Sequence, residues 1–256
     1  MPSEIPDPVR GPEILVEREA ALVRVRMNRP QKKNALTGPM YGAMADALAD
    51  AARDDSVRVV ILAGVDGCFS AGNDLGAFMN PSGEGSEVLR FLREITHFPK
   101  PLVAAVGGMA IGIGTTMLLH CDYVVAAQDA WFKMPFTELA LVPEAASSLM
   151  IPTLLGHRVA GEILLLSEPF DAPRAREWGI VNRVEPRPEV ERVAHEISAR
   201  FASLPAGSVQ ATKALLRRST LASVDETMAR EIEAFGERLS SPEFMEALQG
   251  FMASRD

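Results

Sequence analysis

The sequence predicts an α/β fold, on three observations: apolar runs of strand length recur, they lead into glycine-bearing loops and helical patterns, and the final quarter becomes almost wholly helical. Taken in order, residues 1–13 (MPSEIPDPVRGPE) are proline-rich and polar, with little to bury, and read as a loose tail. Two strand-like runs follow at 14–17 and 21–27, then a turn-rich NRPQKKNAL and an alanine-rich helix over 38–54. Residues 57–63 and 101–106 read as apolar strands, and a helix is expected around 87–96. The stretch GGMAIGIGTT should lead from the 101–106 strand directly into an apolar helix ending near His120. The segment 80–86 (NPSGEGS) has the composition of a mobile loop, either a lid over a site or a surface connector. Beyond residue 184 the pattern is helical, with breaks at 205–207 and 240–242, so a separate helical segment is expected over 201–256.

Composition excludes several function classes. With 256 residues, 47% of them hydrophobic, the chain can fill a sizeable core. No run reaches the roughly 18 apolar residues of a membrane span, and acids and prolines occupy the first thirty positions where a signal peptide would be apolar. No membrane association and a cytoplasmic location are therefore expected. A net charge of −8 argues against a nucleic-acid surface, although not against a local cationic pocket. Cys68 and Cys121 form no CxxC, and His97, His120, His157 and His195 lack metal-ligand spacing, so no metal centre is expected.

Three segments carry chemistry. In FSAGNDL (69–75), small residues let a ligand approach the backbone. In GMAIGIG (108–114), free N–H groups gather at the carboxyl edge of a strand, where an anion or a developing oxyanion is the natural guest. The P-loop pattern fails because no lysine follows Gly114, and GxGxxG fails because Met117 occupies the third glycine position. The remaining functional reading is an oxyanion hole built from two loops, in which one donor contributes about 3 kcal/mol to the transition state; the alternative for either loop alone is an ordinary strand-to-helix turn. The third segment is MPFTELALVPEAASS (134–148), where Pro143 and Glu144 read as the first turn of a helix. An acid there suits the helix dipole, but Leu139, Leu141, Val142 and Leu149 would desolvate the carboxylate and raise its pKa toward that of a useful base.

Together these motifs resemble the enoyl-CoA hydratase/isomerase (crotonase) family from about residue 14 to the C-terminal end. Asn28-Arg29-Pro30 with Asn34-Ala35-Leu36, then FSAGNDL, GGMAIGIG, Cys121-Asp122 and Gly179-Ile180-Val181-Asn182 stand in the family's order. The resemblance implies a spiral of ββα turns forming two sheets over 14–200, and C-terminal helices that assemble trimers, often paired as hexamers. It implies an acyl-CoA thioester substrate, with coenzyme A entering as part of that substrate and no further cofactor. It places the oxyanion donors at the N–H groups of Asn73 and Ile113. The coenzyme A adenine would lie near Ala35, Leu36, Ala71, Gly72, Asp74 and Leu75, with Lys32 or Lys33 on the phosphates, Gln31 standing where many relatives carry a cation.

The departures narrow the chemistry. Hydratases resembling this chain carry one glutamate two residues after the GxG and another after the proline of the third segment; here those positions hold Thr116 and Phe136. Adding water needs proton transfers to and from a held water, so ordinary hydratase activity is disfavoured. PFTELALVPEAASS instead resembles the Δ3,Δ2-enoyl-CoA isomerase branch, in which a single glutamate, here Glu144, shuttles the proton from C2 to C4. Phe136, with Phe78 or Met79, would line a dry acyl pocket. Enoyl-CoA hydration and thioester hydrolysis remain alternatives within the family, and a non-catalytic acyl-CoA-binding or assembly protein is the alternative outside enzymes. Asp74, Glu138 and Glu162 are the reserve acid/base candidates.

Overall fold

The computed structural model describes residues 12–65, 67–78 and 85–253. The chain opens on an antiparallel pair, β1 (Ile14–Glu19) and β2 (Leu22–Met27), joined through Ala20 in a left-handed conformation. After a short 3-10 turn at Pro30–Lys32, α1 (Gly38–Arg53) starts with Pro39 in its first turn, where no N–H is needed, and ends with Arg53 against the carbonyl end of the dipole. Then β3 (Val59–Ala63) leads to β4 (Cys68–Ser70), α2 (Leu75–Phe78) and α3 (Gly85–His97). The alternation repeats as β5 (Leu102–Val106), β6 (Met109–Ile111) and α4 (Ile113–Thr116), and again as β7 (Tyr123–Ala127), β8 (Trp131–Lys133), α5 (Ser147–Leu155) and α6 (His157–Leu164). β9 (Phe170–Asp171), α7 (Ala172–Glu177) and β10 (Arg183–Glu185) close the spiral, and α8 (Val190–Ser203), α9 (Ala206–Arg218), α10 (Leu221–Leu239) and α11 (Pro242–Ala253) complete the chain.

Each turn of the spiral gives one strand to each of two sheets. The larger has the order β1-β2-β3-β5-β7-β10 and is parallel from β2 onward; the smaller has the order β4-β6-β8-β9 and is parallel through its first three strands. Every residue of β3 and β5 is buried, as expected of parallel strands covered on both faces, which is why they read as unbroken apolar runs. The fold is thus the mixed α/β spiral that the family resemblance implies.

Two local expectations are corrected. GGMAIGIGTT does not pass straight into a helix: Met109–Ile111 form β6, and the helix behind it is one turn, α4, continued as a 3-10 turn at Met117–His120. Three-residue strands are too short to show a period of two, and β4, β6 and β8 leave no such signal. Nor does Glu144 lie in the first turn of a helix. α5 begins at Ser147, because Ala145 (φ 56°) and Ala146 (φ 57°) are both left-handed and break the helical path after Pro143. The helical segment also has a break beyond those expected, at Ser219–Thr220 between α9 and α10. Residues 80–84 of the expected loop and most of the expected tail lie outside the described residues, while residues 85–86 belong to α3.

Candidate active site

The smaller sheet gathers the site, since the segments at the carboxyl ends of β4, β6 and β8 are AGND, GIG and MPFTEL. Gly72 (φ 88°) and Gly112 (φ 54°) face each other closely: a Cβ on Gly72 would meet the Ile111 carbonyl oxygen at 2.8 Å and the Gly112 Cα at 3.9 Å. Any side chain there would force the loops apart. Their hydrogen bonds are taken up by neighbours. Gly112 N donates to Lys133 O at 2.8 Å, Thr115 N and Thr116 N donate to Gly112 O, and Asp74 N donates to Leu36 O at 2.8 Å. The N–H groups of Asn73 and Ile113 donate to no protein acceptor among the described residues.

The expected coenzyme A segment comes together around the same loop. Leu36 N donates to Gly72 O at 2.8 Å, Ala71 N to Lys33 O at 2.9 Å, and Asn34 ties the two stretches through Cys68 O and the Ser70 hydroxyl. Arg29 donates to Ala35 O at 3.0 Å and to Asp74 at 2.6 Å. Burial works against the charge on Asp74, but Arg29 and the Gly76 N–H outweigh it and hold the carboxyl below its ordinary value. Asp74 is therefore a structural anion rather than a proton shuttle. Lys32 and Lys33 are exposed, Lys33 in a left-handed conformation, whereas Leu36 is 1% exposed and its N–H and carbonyl are taken up by Gly72 and Asp74.

Glu144 has the environment of a base. Its carboxyl accepts a hydrogen bond from the Thr116 hydroxyl of α4, and Leu141 is buried beside Leu139 and Leu149, which pack on the core. Desolvation is the largest influence and pushes the carboxyl up to about 8, opposed by the Thr116 hydrogen bond and assisted by the charge of Glu231. Tyr41, on the buried face of α1, donates to Asn73 Oδ1 at 2.5 Å, and its phenol is raised well above its ordinary value by burial and by the nearby charge of Glu144. One buried phenol thus links the Asn73 loop to the glutamate. Among the reserve candidates, Glu138 pairs with Lys133 at 2.8 Å at the surface and Glu162 is exposed. Phe136 is 5% exposed within the core; Met79 and the side chain of Phe78 lie outside the described residues.

The turn bearing Glu144 is held from both sides by groups that the sequence did not single out for this role. His120, buried and pushed down to about 4 chiefly by desolvation, is neutral, and with Nε2 at 2.9 Å from Ala145 O it must carry its proton on that nitrogen. From α10, Glu231 accepts Ala146 N at 2.6 Å, Ser148 N at 2.9 Å and the Ser148 hydroxyl at 2.5 Å. Two successive left-handed alanines cost on the order of 1–2 kcal/mol each, which these bonds offset. Glu231 lies on the buried stripe of α10 with Val224, Thr227 and Met228, and an acid on an apolar stripe is the signal that marks it. Among the described residues, no cluster of His, Cys, Asp and Glu side chains is arranged to hold a metal ion, and no helix is long and apolar enough to cross a membrane.

A family model for enoyl-CoA hydratase/isomerase matches residues 17–256. The chain belongs to this family. Among its relatives, the peroxisomal enoyl-CoA delta isomerase 3 of Mus musculus is 34% identical over 248 residues, covering 94% of this chain and 78% of that protein. The 2,3-dehydroadipyl-CoA hydratase of Escherichia coli K12 is 28% identical, covering 95% of this chain and 96% of its own length. The crystal structure of an enoyl-CoA hydratase/isomerase from Pseudoalteromonas atlantica T6c superposes with a TM-score of 0.92 at 40% identity, covering 96% of this chain and 98% of that one. The chain is therefore an acyl-CoA enzyme of the crotonase family, and its relatives carry out both isomerisation and hydration.

Proposed function

We propose that the protein is a Δ3,Δ2-enoyl-CoA isomerase that works with one glutamate. The observation that carries this reading is the Glu144 carboxyl: it is lifted to about 8 by burial and is hydrogen-bonded to Thr116, which occupies a position where hydratase-like relatives carry an acid. A base that titrates near neutral pH combines adequate ionisation with proton affinity. The carboxylate removes a proton from C2 of a 3-enoyl thioester, and the C2–H electron pair moves into a dienolate whose charge rests on the thioester oxygen. The Asn73 and Ile113 N–H groups receive that oxygen. The same carboxyl returns its proton at C4, and the double bond closes between C2 and C3. With Phe136 at the other hydratase position, neither of the two positions that carry hydratase acids supplies one for water addition, and a dry pocket protects the intermediate.

In the same reading, Ala35, Leu36, Ala71, Gly72, Asp74 and Leu75 frame the coenzyme A, Lys33 meets its phosphates, and no group beyond the substrate's own coenzyme A is required. The enzyme assembles as a trimer or a pair of trimers in the cytoplasm; the exposed Leu165, Leu166, Leu215 and Leu216 supply apolar surface for such contacts.

The test is a parallel assay with 3-hexenoyl-CoA and crotonyl-CoA, following 2-enoyl thioester absorbance, with Glu144→Ala as the control. Rising absorbance on 3-hexenoyl-CoA that is lost in the variant supports the isomerase. Falling absorbance on crotonyl-CoA alone identifies a hydratase, and silence on both identifies another thioester reaction or a binding protein.

A further inference from the structure

We propose that Glu231, carried by the C-terminal helix α10, is a positioning residue for Glu144, fixing the catalytic turn through three hydrogen bonds and presenting its charge to the base. The proposal rests on the reading of Glu144 as the base.

The geometry is that of a clamp. Glu231 is 6% exposed, and its two carboxylate oxygens divide the donors between them: Oε2 takes Ala146 N at 2.6 Å, while Oε1 takes Ser148 N at 2.9 Å and the Ser148 hydroxyl at 2.5 Å. Ala146 N is two residues from Glu144, and the intervening Ala145 has its carbonyl held by His120. Glu144's own carbonyl is taken by Ser147 N at 3.0 Å and the Ser147 hydroxyl at 2.6 Å. The carbonyls of Glu144 and Ala145 and the N–H groups of Ala146, Ser147 and Ser148 are all engaged, so the Glu144 side chain hangs from a braced turn. Burial pushes the Glu231 carboxyl above its ordinary value, and the three donors from Ala146 and Ser148 oppose that rise by favouring the ionised form.

The surroundings leave the Glu231 charge uncancelled. On α10 itself, Arg230 is engaged by Glu226 and Arg238 by Glu243 and the Ala140 carbonyl. From α9, Lys213 and Arg217 are held by Asp122 and neighbouring carbonyls. α5 carries no ionisable side chain, α11 offers Glu243 to Arg238, the α4 segment offers Thr116, and the 3-10 turn behind it offers neutral His120. From α1, Tyr41 remains a neutral phenol. The repulsion that Glu144 feels from Glu231 follows from this arrangement.

The experiment is steady-state kinetics of the full chain with 3-hexenoyl-CoA across roughly pH 6–9, comparing the wild type, Glu231→Gln and Glu231→Asp, with Glu144→Ala as reference and thermal melts as a folding check. Gln removes the charge and turns an amide nitrogen toward a donor. Its kcat should fall roughly tenfold to a hundredfold with KM little changed, and the ascending limb of kcat/KM should move to lower pH. Asp keeps the charge with a shorter reach, so kcat should fall while the limb stays at the wild-type pH. A folded Glu231→Gln protein with the wild-type kcat and limb would overturn the proposal and leave Glu231 as an anchor of the tail. If Glu231→Gln does not fold, Glu231→Asp decides: an unchanged kcat overturns the proposal, whereas a lowered kcat with unmoved KM and limb supports it. Full activity in Glu144→Ala would sink the reading of the base itself; an inactive Glu144→Ala beside an unperturbed Glu231→Gln would sink only the role of Glu231.

Discussion

Replacing Glu144 with Gln should inactivate the enzyme and at the same time stabilise it increasingly as pH rises. The carboxyl sits at about 8 in the folded chain against an ordinary 4.5. A carboxyl whose pKa is raised on folding is protonated in both states below its unfolded value, so no penalty exists in acid. Above that value the unfolded chain releases the proton and the folded chain retains it, and stability is lost progressively until the pH passes the folded value. Integrated between pH 5 and 7.5, this loss amounts to about 3 kcal/mol. Gln is isosteric, keeps an oxygen for the Thr116 hydroxyl and has no proton to lose, so the variant escapes the penalty. Urea denaturation of both proteins at fixed concentration over that pH range measures the difference, and contributions from other titrating groups such as His120 cancel between them. A stability difference that stays flat with pH would show that Glu144 is not held as an elevated acid, and the argument for its role as base would fall with it.

Three further outcomes are expected. Thr116→Val removes a hydrogen bond that favours the ionised carboxylate, so the ascending limb of the rate profile should move up by roughly one pH unit, while Thr116→Ser should restore it. His120 is lowered to about 4 from 6.5, so its contribution is complete above pH 6.5 and is lost as pH falls toward the folded value; this loss of about 3 kcal/mol runs against the Glu144 gain in the wild type, and is read as the pH-dependent stability difference between the wild type and His120→Gln in denaturant titrations, where the Glu144 contribution cancels. Lys213→Ala strips Asp122 of its 2.6 Å partner, leaving Arg217 at 3.4 Å, and should destabilise the protein by about 3 kcal/mol, read as earlier proteolysis of the C-terminal helices.

The parts of the fold legible in the sequence were those with a period long enough to read. β3 and β5 announce themselves as buried apolar runs, and α1 as an alanine-rich stripe, whereas β4, β6 and β8 hold three residues each and show nothing until their neighbours are known. The glycine loops were legible because Gly72 and Gly112 answer a local steric need. Glu144 was legible as a candidate, but its place before the helix was not, because the left-handed Ala145 and Ala146 violate the local preferences on which the reading rests; their stabilisation comes from residues far along the chain. Tyr41, His120 and Glu231 were silent as site residues for the same reason. Each earns its place through a partner 25 to 85 residues away, a separation over which a periodic pattern carries no information.

A carboxylate poised near neutrality must be desolvated, fixed in place and denied a cation, and these demands conflict, since the strongest way to fix an anion is an ion pair that would drive its pKa down. The chain resolves the conflict by bracing the backbone rather than the carboxylate. Neutral His120 holds Ala145, Glu231 holds Ala146 and Ser148, and among the described residues only the Thr116 hydroxyl bonds to the carboxyl itself. Lys213 and Arg217, the cations whose charge bears on His120, are held by Asp122. The C-terminal helices therefore reach the base twice, through α9 to Asp122 and His120 and through α10 to Glu231. A change in how those helices dock would reach Glu144 through the backbone it hangs from.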